Sequence, residues 1–466
     1  MNYDYDVLVI GLGPAGMAVT AMASHMGLSV CAIEKNKVGG ECMNVGCIPS
    51  KALLQIAKHQ HIRSRNTVVE SLLTQHEGNP FERIAKHLTY IGERKTMGPL
   101  QKADHLIGQG AAEFVSSHEV LVGDKKISAK RIYICSGTSP AIPDIPGLRE
   151  IEPLTNENLF HLEAIPTSLM ILGGGAIACE MAQAFARLGT HVRMVIRGKT
   201  LLKREDPEVA TILESTLQAD GVEIVRGAQM EKFEKTDTGV RLILATGEAL
   251  ESEKVLCALG RHFDPQALKL ENAGVRYQAR GIIVDKYLRT SQPHIFACGD
   301  VNGQHQFSHA AMHQGMIALM NSLIPGPFKK DFTKYPVPWT IFTDPPISRV
   351  GQTPEMLRAA NIDHEVVDVR YEDYGAAVAE ELEVGFVRVA VNKWGKVLGA
   401  TIEGEGSGEM INEWTTIIQN RISLLGVAMQ QHSFPTMGFL SKRVAETWLM
   451  GKMNSPVLQR IVRLLF

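Results

Sequence analysis

The sequence has no hydrophobic run both long and clean enough to cross a membrane. Its most apolar long stretch, Met170 to Ala186, carries Glu180 and three glycines, which disqualifies it as a span. An excess of charge is missing too. Lys and Arg number 48 against 50 Asp and Glu, for a net charge of -2. There is no basic footprint for nucleic acid and no acidic tail. Asp4 and Asp6 precede the first apolar run with no basic segment ahead of them, so no secretory leader is expected. Cysteine is sparse and odd in number: Cys31, Cys42, Cys47, Cys135, Cys179, Cys257 and Cys298. That argues against a secreted disulfide framework and for the cytoplasm. No low-complexity tract occurs. With 466 residues, 45% of them hydrophobic, the chain can build large cores in two to four domains.

What is present begins at residue 5, with "YDVLVIGLGPAGMAVTAMASHMGLSVCAIEK". Asp6 to Ile10 reads as a buried strand. Gly11, Gly13 and Gly16 form GxGxxG, an alanine-rich helix follows, and a second strand, Ser29 to Ile33, runs into Glu34. The glycines allow a tight turn and backbone approach to a pyrophosphate at the helix N-terminus. The acid sits where it reaches a ribose hydroxyl. A lone GxGxxG is weak; strand, glycines, helix, strand and acid together specify a dinucleotide site.

The pattern returns in "SLMILGGGAIACEMAQAFARLGTHVRMVIRGK", with Gly173, Gly175 and Ala178 in the glycine positions. This unit ends in Arg197, with Lys199, Lys203 and Arg204 close behind, where an acid would mark an unphosphorylated ribose. Basic groups there suit a 2′-phosphate, so the reading is NADP(H) over NAD(H); the bland alternative is a solvated basic loop. Two dinucleotide sites in one chain imply hydride transfer between a nicotinamide and a flavin.

Between them lies "GGECMNVGCIPSKALL". In a regular helix, cysteines five apart have Cα atoms about 8 to 9 Å apart, beyond the roughly 7 Å limit for a disulfide. If Cys42 and Cys47 bridge, the segment to Gly46 must leave regular helix. Pro49 suits the first turn of a helix through Lys51, so Cys47 would sit at its N-terminus, where the dipole favours a thiolate. Two buried, unpaired cysteines remain the alternative. Zinc would need further ligands, such as His59 and His61 or His309 and His313; no resident metal is expected.

These motifs resemble the class I pyridine nucleotide-disulfide oxidoreductases, FAD enzymes such as dihydrolipoamide dehydrogenase, glutathione reductase and mercuric reductase. "GGECMNVGCIPSK" is similar to their redox-active disulfide. "GQGAAEF", with Ala111 and Ala112, and "IYICSGTSP", with Ser136 and Gly137, resemble the adenosine-contacting and crossover segments. "VLCALGRHFDP", with Gly260 and Arg261, is similar to the close of the nicotinamide domain. "IFACGDV" resembles the flavin ribityl turn, with Gly299 and with Asp300 on a ribityl hydroxyl. "FSHAAMHQG", with His309 and Ala310, resembles the helix start under the flavin ring, and "TDPPISRVGQT" and "VGFVRVAVNKWGKVLGATIEG" the interface domain.

The resemblance implies an α/β fold: two Rossmann-like dinucleotide-binding domains plus a C-terminal α+β dimerisation domain. Residues 1–150 would be a first FAD segment, 151–272 the NADP(H) domain, 273–333 a second FAD segment and 334–466 the interface domain of a homodimer. It implies FAD and NADP(H) as cofactors and a small-molecule or protein-bound sulfur substrate. Cys42 would be the interchange thiol and Cys47 the charge-transfer thiol. Lys51 and Glu180 would be an ion pair beside the flavin.

The pattern breaks at "HSFPTMGF", residues 432 to 439. The family carries His-Pro-Thr here, with Glu five residues after the His; this pair, from the partner subunit, is the base for the interchange thiol. The matching positions are Phe434 and Phe439, and neither can take a proton. His432 is a candidate substitute base. An unactivated cysteine is only a few per cent thiolate near pH 7, so ordinary exchange with glutathione or lipoamide should be slow. Mercuric reductases receive their metal from a C-terminal cysteine pair, and no cysteine follows Cys298. The 2-ketopropyl-coenzyme M oxidoreductase/carboxylase has Phe at the His position, a partial match. The expected enzyme passes electrons from NADPH through FAD and Cys42–Cys47 to an unusual sulfur-containing acceptor. The alternative is a flavoprotein of decayed thiol chemistry with an electron-transfer or interaction role. The tail "SPVLQRIVRLLF" sets Arg460 and Arg463 among apolar residues at helical spacing. It reads first as packing on the dimer, second as contact with a membrane surface or partner.

Overall fold

In the computed structural model, which describes residues 2–65, 78–92 and 97–465, the first apolar run forms strand β1 (Tyr5–Ile10). Its residues Val7 to Ile10 are all buried, as expected of a parallel strand covered on both faces. Parallel neighbours lie on either side: β2 (Val30–Glu34) and β6 (Lys125–Ile134). Beyond β2 is β3 (Asp104–Ile107); beyond β6 are the antiparallel β5 (Glu119–Val122) and β4 (Ala112–Phe114). Ile295–Ala297 also pairs with β6, so a strand distant in sequence completes the sheet. Helix α1 (Pro14–His25) joins β1 to β2 and packs against the helix Ser308–Leu323. Glu34 is the last residue of β2 rather than the first beyond it.

The second glycine pattern forms a parallel four-stranded sheet in the order Glu223–Val225, His191–Val195, Ser168–Leu172, Lys254–Cys257. A three-stranded meander, Met230–Thr236, Gly239–Leu244 and Ala249–Ser252, packs Phe233 and Leu242 on Met170 and Val195. The α/β class read from the sequence is the class observed.

The chain divides into two compact units. One holds Met1–Gly173, Ala184–Arg197 and Val222–Thr333; the other holds Gly174–Gln183, Gly198–Gly221 and Lys334–Phe466. The second unit is built on an antiparallel sheet ordered Trp339–Ile341, Ile347–Gly351, Val397–Glu403, Phe386–Val391, Glu365–Arg370. Alternation puts Val387, Val389, Ala400 and Ile402 on one face, against Trp414, Leu440 and Val444. The opposite face carries Arg349, Arg388, Thr401 and Glu403 and meets the 198–221 segment. There Asp206 caps the helix Pro207–Ala219, accepting from the Glu208 N–H at 3.0 Å. Arg388 donates to Asp206 at 2.8 Å, Glu208 at 2.6 Å and Asp368 at 2.7 Å. Arg349 Nε lies 2.9 Å from Glu205, both almost fully buried. Arg370 also holds Glu208. Glu403 is fully buried and neither carboxyl oxygen has a hydrogen-bond partner.

Candidate active site

The cysteine segment departs from regular helix, as a Cys42–Cys47 bridge would need. Helix α2 (Gly40–Asn44) stops at Val45, and α3 (Cys47–Arg65) starts at Cys47. Gly46 permits the bend: a Cβ there would lie 2.8 Å from the Glu41 carbonyl oxygen and 3.3 Å from Cys42 Cα. Both cysteines are free thiols, Cys42 half-buried and Cys47 exposed. Interaction with Cys42 lowers the Cys47 thiol well below its ordinary value near 9, with the Ser308 hydroxyl and the Lys51 charge adding to it. Cys42 is pushed up by the same partner and by burial. Ser308 Oγ lies 3.2 Å from Cys47 Sγ, in the first turn of the Ser308–Leu323 helix. Of the two, Cys47 is the thiol more readily ionised, and it lies at the positive end of α3.

The first glycine turn is built to hold an anion. Gly13 caps α1 with no side-chain hydrogen bond, leaving the helix N-terminus bare. Gly16 has to be glycine: a Cβ would fall 1.8 Å from the Gly11 carbonyl oxygen. Glu34 is buried at the end of β2, its carboxylate accepting from Leu12 N–H at 2.8 Å and Asn36 N–H at 2.9 Å. Gly11 backs onto Cys135 and Ser136 at the end of β6, where Gly137 follows at φ +69°. Gly299 precedes Asp300, and burial raises the Asp300 carboxyl above its ordinary range, against the pull of Arg261. Ala112 is buried in β4 and Ala111 exposed beside it; Ala310 is buried and the His309 ring stacks on Phe307. A bare helix end, a buried acid closing the second strand and a half-buried aspartate fit the pyrophosphate, ribose and polyol of a flavin dinucleotide.

One network joins these parts. Arg261, reached from Gly260, donates to the Thr138 hydroxyl at 2.6 Å and the Thr138 carbonyl at 2.7 Å. It also holds Glu41, and its Nε is 3.5 Å from Asp300. Glu41 immediately precedes Cys42, so the network ties the cysteine helix to the crossover strand. Burial raises Glu41 against the Arg261 charge. Glu41, Thr138 and Ser308 lie inside motifs that the sequence shows, yet nothing in the sequence singles them out; their partners are 123 to 261 residues away in the chain.

Arg197 lies two residues beyond the strand His191–Val195 and lines a cavity of about 490 Å³ with Ile145, Gln229, Met230 and Glu231. Gly173 closes the strand before it, its N–H donating to Val195 at 3.0 Å. Gly175, Glu180, Lys203, Arg204 and Phe434 fall in the other compact unit. There Glu180 is buried and accepts from the Phe342 N–H at 2.9 Å. Lys203 and Arg204 are exposed. Among the described residues no group of three or more His, Cys, Asp or Glu could hold a metal.

Phe434 is 69% exposed. Its ring meets Phe439 edge-on at 5.3 Å between centroids, and Phe439 stacks on Tyr374 at 6.1 Å. The Tyr374 hydroxyl is committed to the Thr436 carbonyl at 2.9 Å. His432 turns to Glu413, with Nε2 2.7 Å from the carboxylate.

The family model described as pyridine nucleotide-disulphide oxidoreductase matches residues 5–315, and that family's dimerisation domain matches residues 337–442. A mercuric reductase of Acidithiobacillus ferrooxidans is 32% identical over 466 aligned residues, covering 96% of this chain and 83% of its own. A dihydrolipoyl dehydrogenase of Chlamydia muridarum is 30% identical, with 96% of each chain covered. Among solved structures, the Cu(II) complex of the HOCl-induced flavoprotein disulfide reductase RclA from Escherichia coli superposes with a TM-score of 0.85. It is 27% identical and covers 96% of this chain and 99% of its own.

Proposed function

The chain belongs to the pyridine nucleotide-disulphide oxidoreductase family, and from that premise we propose that it is an NADPH-linked FAD enzyme. It passes two electrons through Cys42 and Cys47 to a thiol-reactive acceptor. The observation that carries this reading is the pair of free cysteines at the start of α3, Cys42 and Cys47, with Ser308 Oγ 3.2 Å from the Cys47 sulfur and the Cys47 thiol lowered from its ordinary value. Bound at the two glycine turns, the flavin and nicotinamide would supply hydride transfer. The chain's own residues do the rest. The α1 N-terminus and Glu34 would hold the FAD, with Asp300 on its polyol. Ala111, Ala112, Ser136, Gly137, His309 and Ala310 would border it, with Lys51 at its reactive end. Cys47 keeps the electron-rich sulfur, and Cys42 attacks the acceptor. The domain boundaries at about 150, 272 and 333 follow from this assignment, and the dimerisation domain makes a homodimer the working assembly. For a disulfide the balance is NADPH, a proton and RSSR giving NADP+ and two RSH.

Anaerobic NADPH titration tests the reading: a thiolate-to-flavin absorption band should grow in, and its absence would sink the disulfide route. The nucleotide choice rests on Arg197, with Lys203 and Arg204 behind it in sequence. Wild type should reduce its flavin at least tenfold more efficiently with NADPH than with NADH, and Arg197→Glu should erase the preference; faster reduction by NADH refutes it.

A second reading of the acceptor, a soft metal ion, has a specific observation behind it. By the family resemblance Phe434 and Phe439 fall where a proton-handling pair would stand, and a thiophilic ion bound by two sulfurs displaces the Cys42 proton to solvent, so no side-chain base need take it. A general base contributes about 10² to 10⁴ in rate, so turnover with glutathione disulfide or lipoamide should trail turnover with Cu(II) or Hg(II) by at least about a hundredfold. Equal rates would return the acceptor to ordinary disulfides.

A further inference from the structure

The helix Pro456–Leu465 lies beyond the last residue matched by the family's dimerisation domain, residue 442, and the chemistry proposed above leaves it without a task. It follows the helix Phe439–Met453, which is anchored: its Lys452 is held by Glu365 at 2.6 Å, and Leu440, Val444 and Ala445 are buried. The next helix is not covered in this way. Leu464 is 86% exposed and Leu465 77%, with Val462 also exposed. Phe466 and the side chains of Val457, Leu458 and Ile461 lie outside the described residues. The charge is one-sided. After Glu446 the sequence contains no acid, while Lys452, Arg460 and Arg463 are basic. Arg460 and Arg463 are a helical turn apart, so they share one face. Met450 and Met453, just upstream, are exposed too.

We propose that this helix lies in the interface of an anionic lipid surface, its leucines in the acyl boundary and its arginines among the headgroups. An apolar stripe beside a purely basic one is the pattern that binds such surfaces through apolar burial and electrostatics together. A second copy of the chain would cover the leucines equally well, but would need acids for the arginines. The 20 residues after Glu446, which a symmetric pairing of tails would bring together, offer none. The helix is too short to span, so the contact is peripheral and reversible.

The test is cosedimentation of the full-length flavin-loaded protein with vesicles of phosphatidylcholine, with or without phosphatidylglycerol. Binding is expected only with phosphatidylglycerol and should weaken in high salt. Arg460→Gln with Arg463→Gln should weaken it about thirtyfold. Leu464→Gln with Leu465→Gln should abolish it while the flavin spectrum and the mass from light scattering stay unchanged. Two results overturn the proposal: no preference for the anionic vesicles, or a Leu464/Leu465 variant whose assembly falls apart, which would make a second copy the occupant.

Discussion

Replacing Cys47 by Ser should abolish thiolate absorbance in the reduced enzyme and cut acceptor turnover at least about a thousandfold, while nucleotide-driven bleaching of the flavin survives. The scale is that of removing a nucleophile that acts as part of a unit. The sign of the pH dependence follows from the depressed thiol. Cys47 is lowered from its ordinary value near 9, so the band should persist below that pH and fade only as pH falls through the depressed value. Ser308→Ala removes a hydroxyl 3.2 Å from the sulfur. Losing one hydrogen bond to a charged group, about 1.5–3 kcal/mol, should move the midpoint up by about one to two pH units. Cys42→Ala should move it upward as well, since the Cys42 hydrogen bond is the first cause of the depression. A midpoint unchanged in both variants would mean that the helix dipole alone sets the thiolate.

Glu403→Gln should stabilise the protein under alkaline conditions. Burial first, then the charges of Glu208 and Asp206, raise this carboxyl from 4.5 to about 9. Between those values the unfolded chain has lost the proton and the folded one keeps it, so folding becomes less favourable as pH rises. The slope is about 1.4 kcal/mol per pH unit for one proton, and the loss levels off above pH about 9, where both states are ionised. The amide has the shape of the neutral acid and carries no such cost. Denaturant midpoints of the two proteins should nearly coincide at about pH 5 and separate by a few kcal/mol at about pH 8. Parallel curves from pH 5 to 9 would show that Glu403 is ionised in the fold. The surrounding charges are Asp206, Glu208, Glu205 and Asp368 against Arg349, Arg370 and Arg388. Carboxylates outnumber guanidiniums there, which adds to the burial that already resists a further negative charge.

Much of the site could be read in the sequence because its geometry is local. The turn at Gly11–Gly16, the acid at Glu34 and the bend at Gly46 depend on neighbours within one strand–helix unit, and their spacing reports them. Arg261–Glu41 and Ser308–Cys47 were not legible, since each joins residues more than 200 positions apart and neither has a periodic signature. The burial of Glu403 is hidden in the sequence for another reason. Alternation in "VLGATIEG" places Thr401 and Glu403 opposite Ala400 and Ile402, which in an antiparallel sheet ordinarily means the wet face. Here that face is covered by the 198–221 segment, so the polar side is interior. The turn at Phe434 was visible as a departure only because the flanking Pro and Thr keep the family pattern.

The composition of the second unit bears on how the protein comes apart. Its arginine-bound segment 198–221 is borrowed from the middle of the chain, yet Arg349, Arg370 and Arg388 fasten it to a sheet made more than 100 residues later. Sequence neighbours should therefore not be partners in opening. Amide exchange in the helix Pro207–Ala219 should keep time with the strands Phe386–Val391 and Val397–Glu403, and not with His191–Val195 just before it, because cooperative units follow shared buried contacts rather than chain order.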